Sequence, residues 1–151
     1  MAVRVQAEDF DLGAETKALC AGRTDIGALV TFTGLVRDRA GGDPIQAMTL
    51  EHYPGMTERA LETIEAEAQT RWPLQATLII HRYGSLAPGA QIVLVAAASP
   101  HRQAAFEAAD FMMDYLKSKA PFWKKEDLPS GGRWVDARDS DTAALDRWRV
   151  E

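Results

Sequence analysis

The chain has 151 residues, 46% hydrophobic and 26% charged, with a formal net charge of −5 at pH 7. That size and balance fit one soluble domain, residues 1–151, with a sizeable core. The acidity excludes a nucleic-acid binder, which must neutralise several phosphates with a basic surface.

No apolar run reaches the roughly 18–20 residues that cross a bilayer. The opening MAVRVQAEDFDLG carries acids where a signal peptide carries an apolar core, so the reading is a cytoplasmic protein without membrane contact. One cysteine, Cys20, excludes an internal disulfide and supplies no thiolate metal cluster.

The pattern first becomes readable at Ala28. From Ala28 to Val36 the residues alternate, with Ala28, Val30 and Phe32 on one face of a strand. Ile45 to Tyr53 reads as a second extended segment, and Gly41-Gly42-Asp43-Pro44 as the connection. Pro54-Gly55 breaks that strand. Thr57 then caps a helix whose apolar positions Ala60, Leu61, Ile64 and Ala68 recur at helical spacing up to Trp72-Pro73. Leu74 to Tyr83 and Gln91 to Ala98 read as strands joined by GSLAPGA, and the unbroken apolar run of the second predicts burial on both faces. The fold class that follows is α+β, a mixed sheet with packed helices.

Ser99 is read as the cap of a long helix with Pro100 at its first position, where the missing amide hydrogen costs nothing. Phe106, Ala109, Met113 and Leu116 form its predicted inner stripe. Gln103, Glu107, Asp110, Asp114 and Lys117 form the polar one, and Ala120-Pro121 ends it. A loop at Pro129-Ser130-Gly131-Gly132, a short extended RWVDA and a last helix from Ser140 to Trp148 complete the reading.

The chemistry gathers around that long helix. Lys117, Lys119, Lys124 and Lys125 fall within nine residues of an otherwise acidic chain, a local reversal that suits an anion. His101 and Arg102 lie in the first turn, where free amides and the dipole already favour phosphate. Arg37 stands at a strand end behind Gly34, a glycine that marks a bulge or a close backbone approach. Lys124 follows Phe122-Trp123, an aromatic anchor that gives it a fixed direction. Each of these cations has a plainer reading as a solvated surface charge. Arg102 and Lys117 are fifteen positions apart, about 22 Å along one helix. If both serve one small ligand, a second copy must contribute its helix N-terminus, which predicts a homodimer with shared sites. His52 and His81 stand in extended segments without a second ligand at suitable spacing, so no metal site is expected.

Four blocks, VTFTGLVRD, LEHYPGMTERAL, IIHRYGSLAPG and SPHRQAAFEAADFMMDYLKSKAPFWKKE with the following RWVDAR, give the chain a close resemblance to the large, catalytic subunit of molybdopterin synthase, the MoaE family. The resemblance implies an α/β hammerhead fold and a sulfurtransferase. It implies a homodimer within a heterotetramer, with a small ubiquitin-like subunit at each end carrying sulfur as a C-terminal thiocarboxylate. The implied substrate is cyclic pyranopterin monophosphate, which receives two sulfur atoms to form the dithiolene of molybdopterin; no cofactor is implied. Lys117 matches the family's essential lysine and Lys124 its second active-site lysine. Arg37, His101, Arg102, Lys125 and Glu126 match substrate-binding positions, and Arg138 matches an arginine near the partner's tail. Cys20 lies outside every matched block, so sulfur must arrive on the partner. Two readings of other classes remain beside this one: a non-catalytic module for phosphate ligands, and a scaffold for a ubiquitin-like protein.

Overall fold

A computed structural model of the chain describes residues 2–40, 42–135 and 143–149. In chain order these form β1 (Ala2–Gln6), α1 (Leu12–Cys20), β2 (Ala28–Leu35), β3 (Arg39–Ala40), β4 (Asp43–Pro44), β5 (Ala47–His52) and α2 (Met56–Arg71). Then follow β6 (Ala76–Arg82), β7 (Gly84–Leu86), β8 (Gln91–Ser99), α3 (Arg102–Lys119), β9 (Phe122–Leu128), β10 (Gly131–Val135) and a 3-10 turn at Leu145–Trp148.

The strands form two larger sheets, one ordered β1-β6-β8-β2 and the other β10-β9-β5-β7, with β3 and β4 as a small hairpin beside them. The first sheet is mixed, since β1 runs parallel to β6 while β6–β8 and β8–β2 are antiparallel. The α+β class read from the chain is therefore observed. β8 is buried from Val93 to Ser99, for the expected reason. Val93, Val95 and Ala97 pack with Leu61 of α2 and Phe111 and Met112 of α3, while Leu94 and Ala96 turn to the other face with Phe10 and α1. A third cluster, Val36, Leu50 and Leu86, lies under the second sheet.

Several expectations are corrected. Thr57 does not cap α2: Gly55 stands at that position with a positive φ, and the Glu58 carboxylate accepts from its amide at 2.7 Å. Thr57 is fully buried one residue inside the helix, donating to the Pro121 carbonyl at 3.0 Å and accepting from the Tyr53 amide. The long helix begins two residues later than read. Ser99 is the last residue of β8, its hydroxyl donating to the Pro73 carbonyl at 2.9 Å, and Pro100 precedes the His101 cap rather than opening the helix. Phe106 leaves the inner stripe and is 61% exposed; Ala109, Met113 and Leu116 stay in it, joined by Ala105, Ala108, Phe111 and Met112. The lysine-rich PFWKKE segment is a strand, β9, in antiparallel register with both β5 and β10. Of the predicted last helix, 140–142 lie outside the described residues and Leu145–Trp148 is a 3-10 turn.

Gly27 sits where β2 meets the end of β8. Its amide donates to the Ser99 carbonyl at 3.0 Å, and a Cβ there would lie 2.0 Å from the Pro100 carbonyl oxygen. Both atoms belong to backbone, so Gly27→Ala must force the strand start away from the segment it rests on. We expect a stability loss of about 2–4 kcal/mol, read as a melting temperature lower by roughly 5–15 °C. Gly132→Ala is the control, because its nearest obstacle is the Cε of Lys125, the flexible end of a side chain, at 2.4 Å. Equal shifts for the two variants would refute the argument.

Candidate active site

The β2–β8 register slips after Gly34: Gly34 faces Val93, but Leu35 faces Gln91, leaving Ile92 as an extra residue on β8. A bulge bends the strand, and Gly34 is where the crowding falls, since a Cβ would lie 2.9 Å from Val93 Cγ1. Past the bulge, Val36 turns inward to Leu50 and Leu86 and Arg37 turns to a cavity. The register shift expected at Gly34 is thus present, while the close approach there comes from the Val93 side chain rather than from backbone.

That cavity measures about 600 Å³ and lies where the two larger sheets meet, a volume that suits a small molecule. Its cations come from three elements. Arg37 follows β2, Lys117 projects from the last turn of α3, and Lys124 stands on β9. Alternation along β9 aims Phe122, Lys124 and Glu126 at the cavity and sends Trp123 and Lys125 to the opposite face. Glu126 is buried and faces its register partner Arg133, whose Nε donates to it at 3.2 Å and whose Nη1 reaches Asp43. Among the described residues, neither Arg37 nor Lys117 has a carboxylate within ion-pair distance. Among the described residues the lining is therefore cationic, with its one carboxylate, Glu126, engaged by an arginine.

Arg37, Lys117, Lys124 and Glu126, all expected from the chain, come together here. Lys125 does not: it stands on the outer face of β9, opposite Trp134 in register, with its stem over Gly132. The His101 cap and Arg102 lie at the far end of α3, Arg102 fifteen residues from Lys117, or about 22 Å. Arg138 lies outside the described residues. Cys20 closes α1 and is not among the residues lining the cavity.

One lining residue has no role in the sequence reading. His81, at the end of β6, is 4% exposed and stacks on Phe122 with centroids 3.7 Å apart. Burial pushes its imidazole down to about 4; the bond from Nδ1 to the Arg82 carbonyl resists this, and the fields of Lys124, His52 and Lys117 add to it. His81 is uncharged at neutral pH. The signal for it lies in its place at the end of an apolar strand, but spacing along the chain does not reveal which strand end faces a lysine from another sheet.

Residues 5–119 match the family described as MoaE protein. The molybdopterin synthase catalytic subunit of Rhizobium meliloti is 61% identical over 148 residues, covering 97% of this chain and 94% of that protein. Among solved structures, the molybdopterin biosynthesis MoaE protein of Burkholderia ambifaria superposes with a TM-score of 0.84 at 56% identity, covering all of both chains. Molybdopterin synthase of Staphylococcus aureus gives 0.82 at 32% identity, covering 88% of this chain and 96% of that one. With the family's span reaching through β2, α3 and Lys117, and its relatives matched over nearly their whole length, the chain belongs to the MoaE family.

Proposed function

We propose that this chain is the catalytic subunit of a molybdopterin synthase. In this reading it is a cytoplasmic sulfurtransferase of one domain. It moves sulfur from the C-terminal thiocarboxylate of a small ubiquitin-like subunit into cyclic pyranopterin monophosphate. The observation that carries the reading is the convergence of Arg37, Lys117 and Lys124 on one cavity from three separate elements. Three cations aimed at one small volume suit a substrate bearing a phosphate and a donor bearing a thiocarboxylate. Arg37 holds the cyclic phosphate. Lys117 and Lys124 orient the thiocarboxylate and neutralise charge as sulfur attacks carbon. The placement of Cys20 away from the cavity fits a reaction in which sulfur arrives on the partner.

The distance along α3 supports a further element of the reading, a homodimer in which His101 and Arg102 of one copy serve the cavity of the other. Exposed Phe32 and Phe106 border a groove that shares Phe32, Met113 and Lys117 with the cavity and offers apolar surface to a second chain. Full activity from a species that light scattering finds monomeric at micromolar concentration would overturn the shared site.

The direct test mixes the protein with a thiocarboxylated small subunit and cyclic pyranopterin monophosphate, and follows molybdopterin by the fluorescence of its oxidised derivative. Product is expected only when all three are present. No product from folded protein with its partner demonstrably bound would leave a scaffold in place of an enzyme.

A further inference from the structure

Three restraints fix the ring of His81. Nδ1 lies 2.8 Å from the Arg82 carbonyl oxygen, which can only accept, so Nδ1 carries the hydrogen. The ring lies nearly flat on Phe122, with planes 18° apart. The strand that carries it is held on both sides, by β1 and by β8, where His81 faces Val93 in register.

What remains is Nε2, an unprotonated acceptor with no hydrogen-bond partner among the described residues, on a side chain that lines the cavity. That nitrogen is open to a donor brought into the cavity, and an acceptor that a bound ring cuts off from water without replacing the bond is costly. On the same wall the Thr33 hydroxyl is buried and lacks a partner. The rest of the lining leans the other way. Arg37, Lys117 and Lys124 offer only donors, and Glu126 is engaged by Arg133. A ligand held here by its anionic group alone would bring the N–H edge of its ring system to a wall of donors.

We propose that His81 Nε2 accepts a hydrogen bond from a ring N–H or amino group of the heterocycle bound in the cavity. His81 is thereby a specificity-determining residue. The inference rests on the cavity being the substrate site, as proposed above. It deepens that reading by assigning the heterocycle an anchor separate from the cations that hold its phosphate. A ring presenting an acceptor or a C–H at this point leaves Nε2 unpaired and is disfavoured.

Three substitutions separate this role from packing. His81→Phe keeps a flat ring against Phe122 and removes both nitrogens. His81→Asn keeps an amide near Nδ1 to bond the Arg82 carbonyl but removes the distal acceptor. His81→Gln restores an oxygen near the position of Nε2. In the complex with thiocarboxylated partner, KM for cyclic pyranopterin monophosphate should rise about tenfold in the Phe and Asn variants. Their kcat should stay within about twofold, and the Gln variant should fall nearer the wild type. Unchanged KM in folded Phe and Asn variants, beside an active wild type, overturns the inference and leaves the proposed function standing. A wild-type complex that makes no product overturns both. A loss of melting temperature and kcat in all three variants, without a rise in KM, assigns His81 to packing and overturns it as well.

Discussion

Lys117→Ala is expected to lower molybdopterin formation by about 10²- to 10³-fold, the loss that follows when one preorganised charge-stabilising group is removed from an active site. The fold survives the change, because Lys117 is exposed on the last turn of α3 and has no carboxylate partner among the described residues. What the variant gives up outside catalysis is a small favourable interaction with the helix C-terminus. The expected result is thus a protein with an almost unchanged melting curve that still binds its partner and turns over slowly. Lys117→Arg keeps the charge but spreads it over a planar fork, and should recover only a fraction of the rate. The measurement is single-turnover product formation with preformed thiocarboxylated partner; near-normal turnover in a folded Ala variant would remove Lys117 from the mechanism.

The largest effect on stability is expected at Phe111. Its ring is fully buried on α3, with Trp72 5.3 Å away edge-on, Tyr115 at 4.5 Å and Trp148 at 5.6 Å. The Arg71 guanidinium covers it at 4.7 Å and also donates to the Trp148 carbonyl. Truncation to alanine empties the point where α2, α3 and the 3-10 turn meet, and the typical cost of such a cavity is about 3–5 kcal/mol. Urea denaturation followed by tryptophan fluorescence reads it, with a lower midpoint and an unchanged slope. A loss below about 1 kcal/mol would mean that the surrounding rings collapse into the space. The secondary effect is directional: Trp148, held by its indole N–H to Asp114 and by Arg147 over its face, should become susceptible to protease before the rest of the chain.

How far the chain can be read depends on whether a signal is local. β8 announces itself through an unbroken apolar run, because a strand covered on both faces needs no alternation. Gly34 is readable because a glycine at a strand end has few other reasons to be there. The N-terminal strand escapes notice: Val3 and Val5 alternate over only five residues, and what makes them a strand is a parallel neighbour, β6, more than seventy residues away. Phe106 is misplaced for a related reason. Helical spacing puts it in line with Ala109 and Met113, but the buried face of α3 is centred on Ala105, Ala108, Phe111 and Met112, which leaves Phe106 on the rim of the groove beside β2. β9 is hidden by composition, since Lys-Lys-Glu-Asp reads as solvated surface until β5 and β10 close around it.

In the site, the division follows the same line. Arg37, Lys117, Lys124 and Glu126 are recognisable as a set from motifs close to them in the chain. Lys125 is counted with them through the family resemblance of the Lys124-Lys125-Glu126 segment, whereas spacing alone reads it as a surface charge and pleating places it on the face opposite Lys124. His81 is passed over because its value comes from Phe122 and Lys124, residues of another sheet.

The division of the strands into two sheets has a mechanical side. Lys117 belongs to a helix packed on the first sheet and Lys124 to the second, with Ala120 and Pro121 joining the two elements. The gap between the two ammonium groups is therefore set by how the sheets sit against each other, not by either sheet alone. An occupant that touches both acts as a strut, and holding it bound means holding the sheets at one spacing. Filling the cavity should then slow amide hydrogen exchange along the whole of β9 and β10, including positions that do not line it.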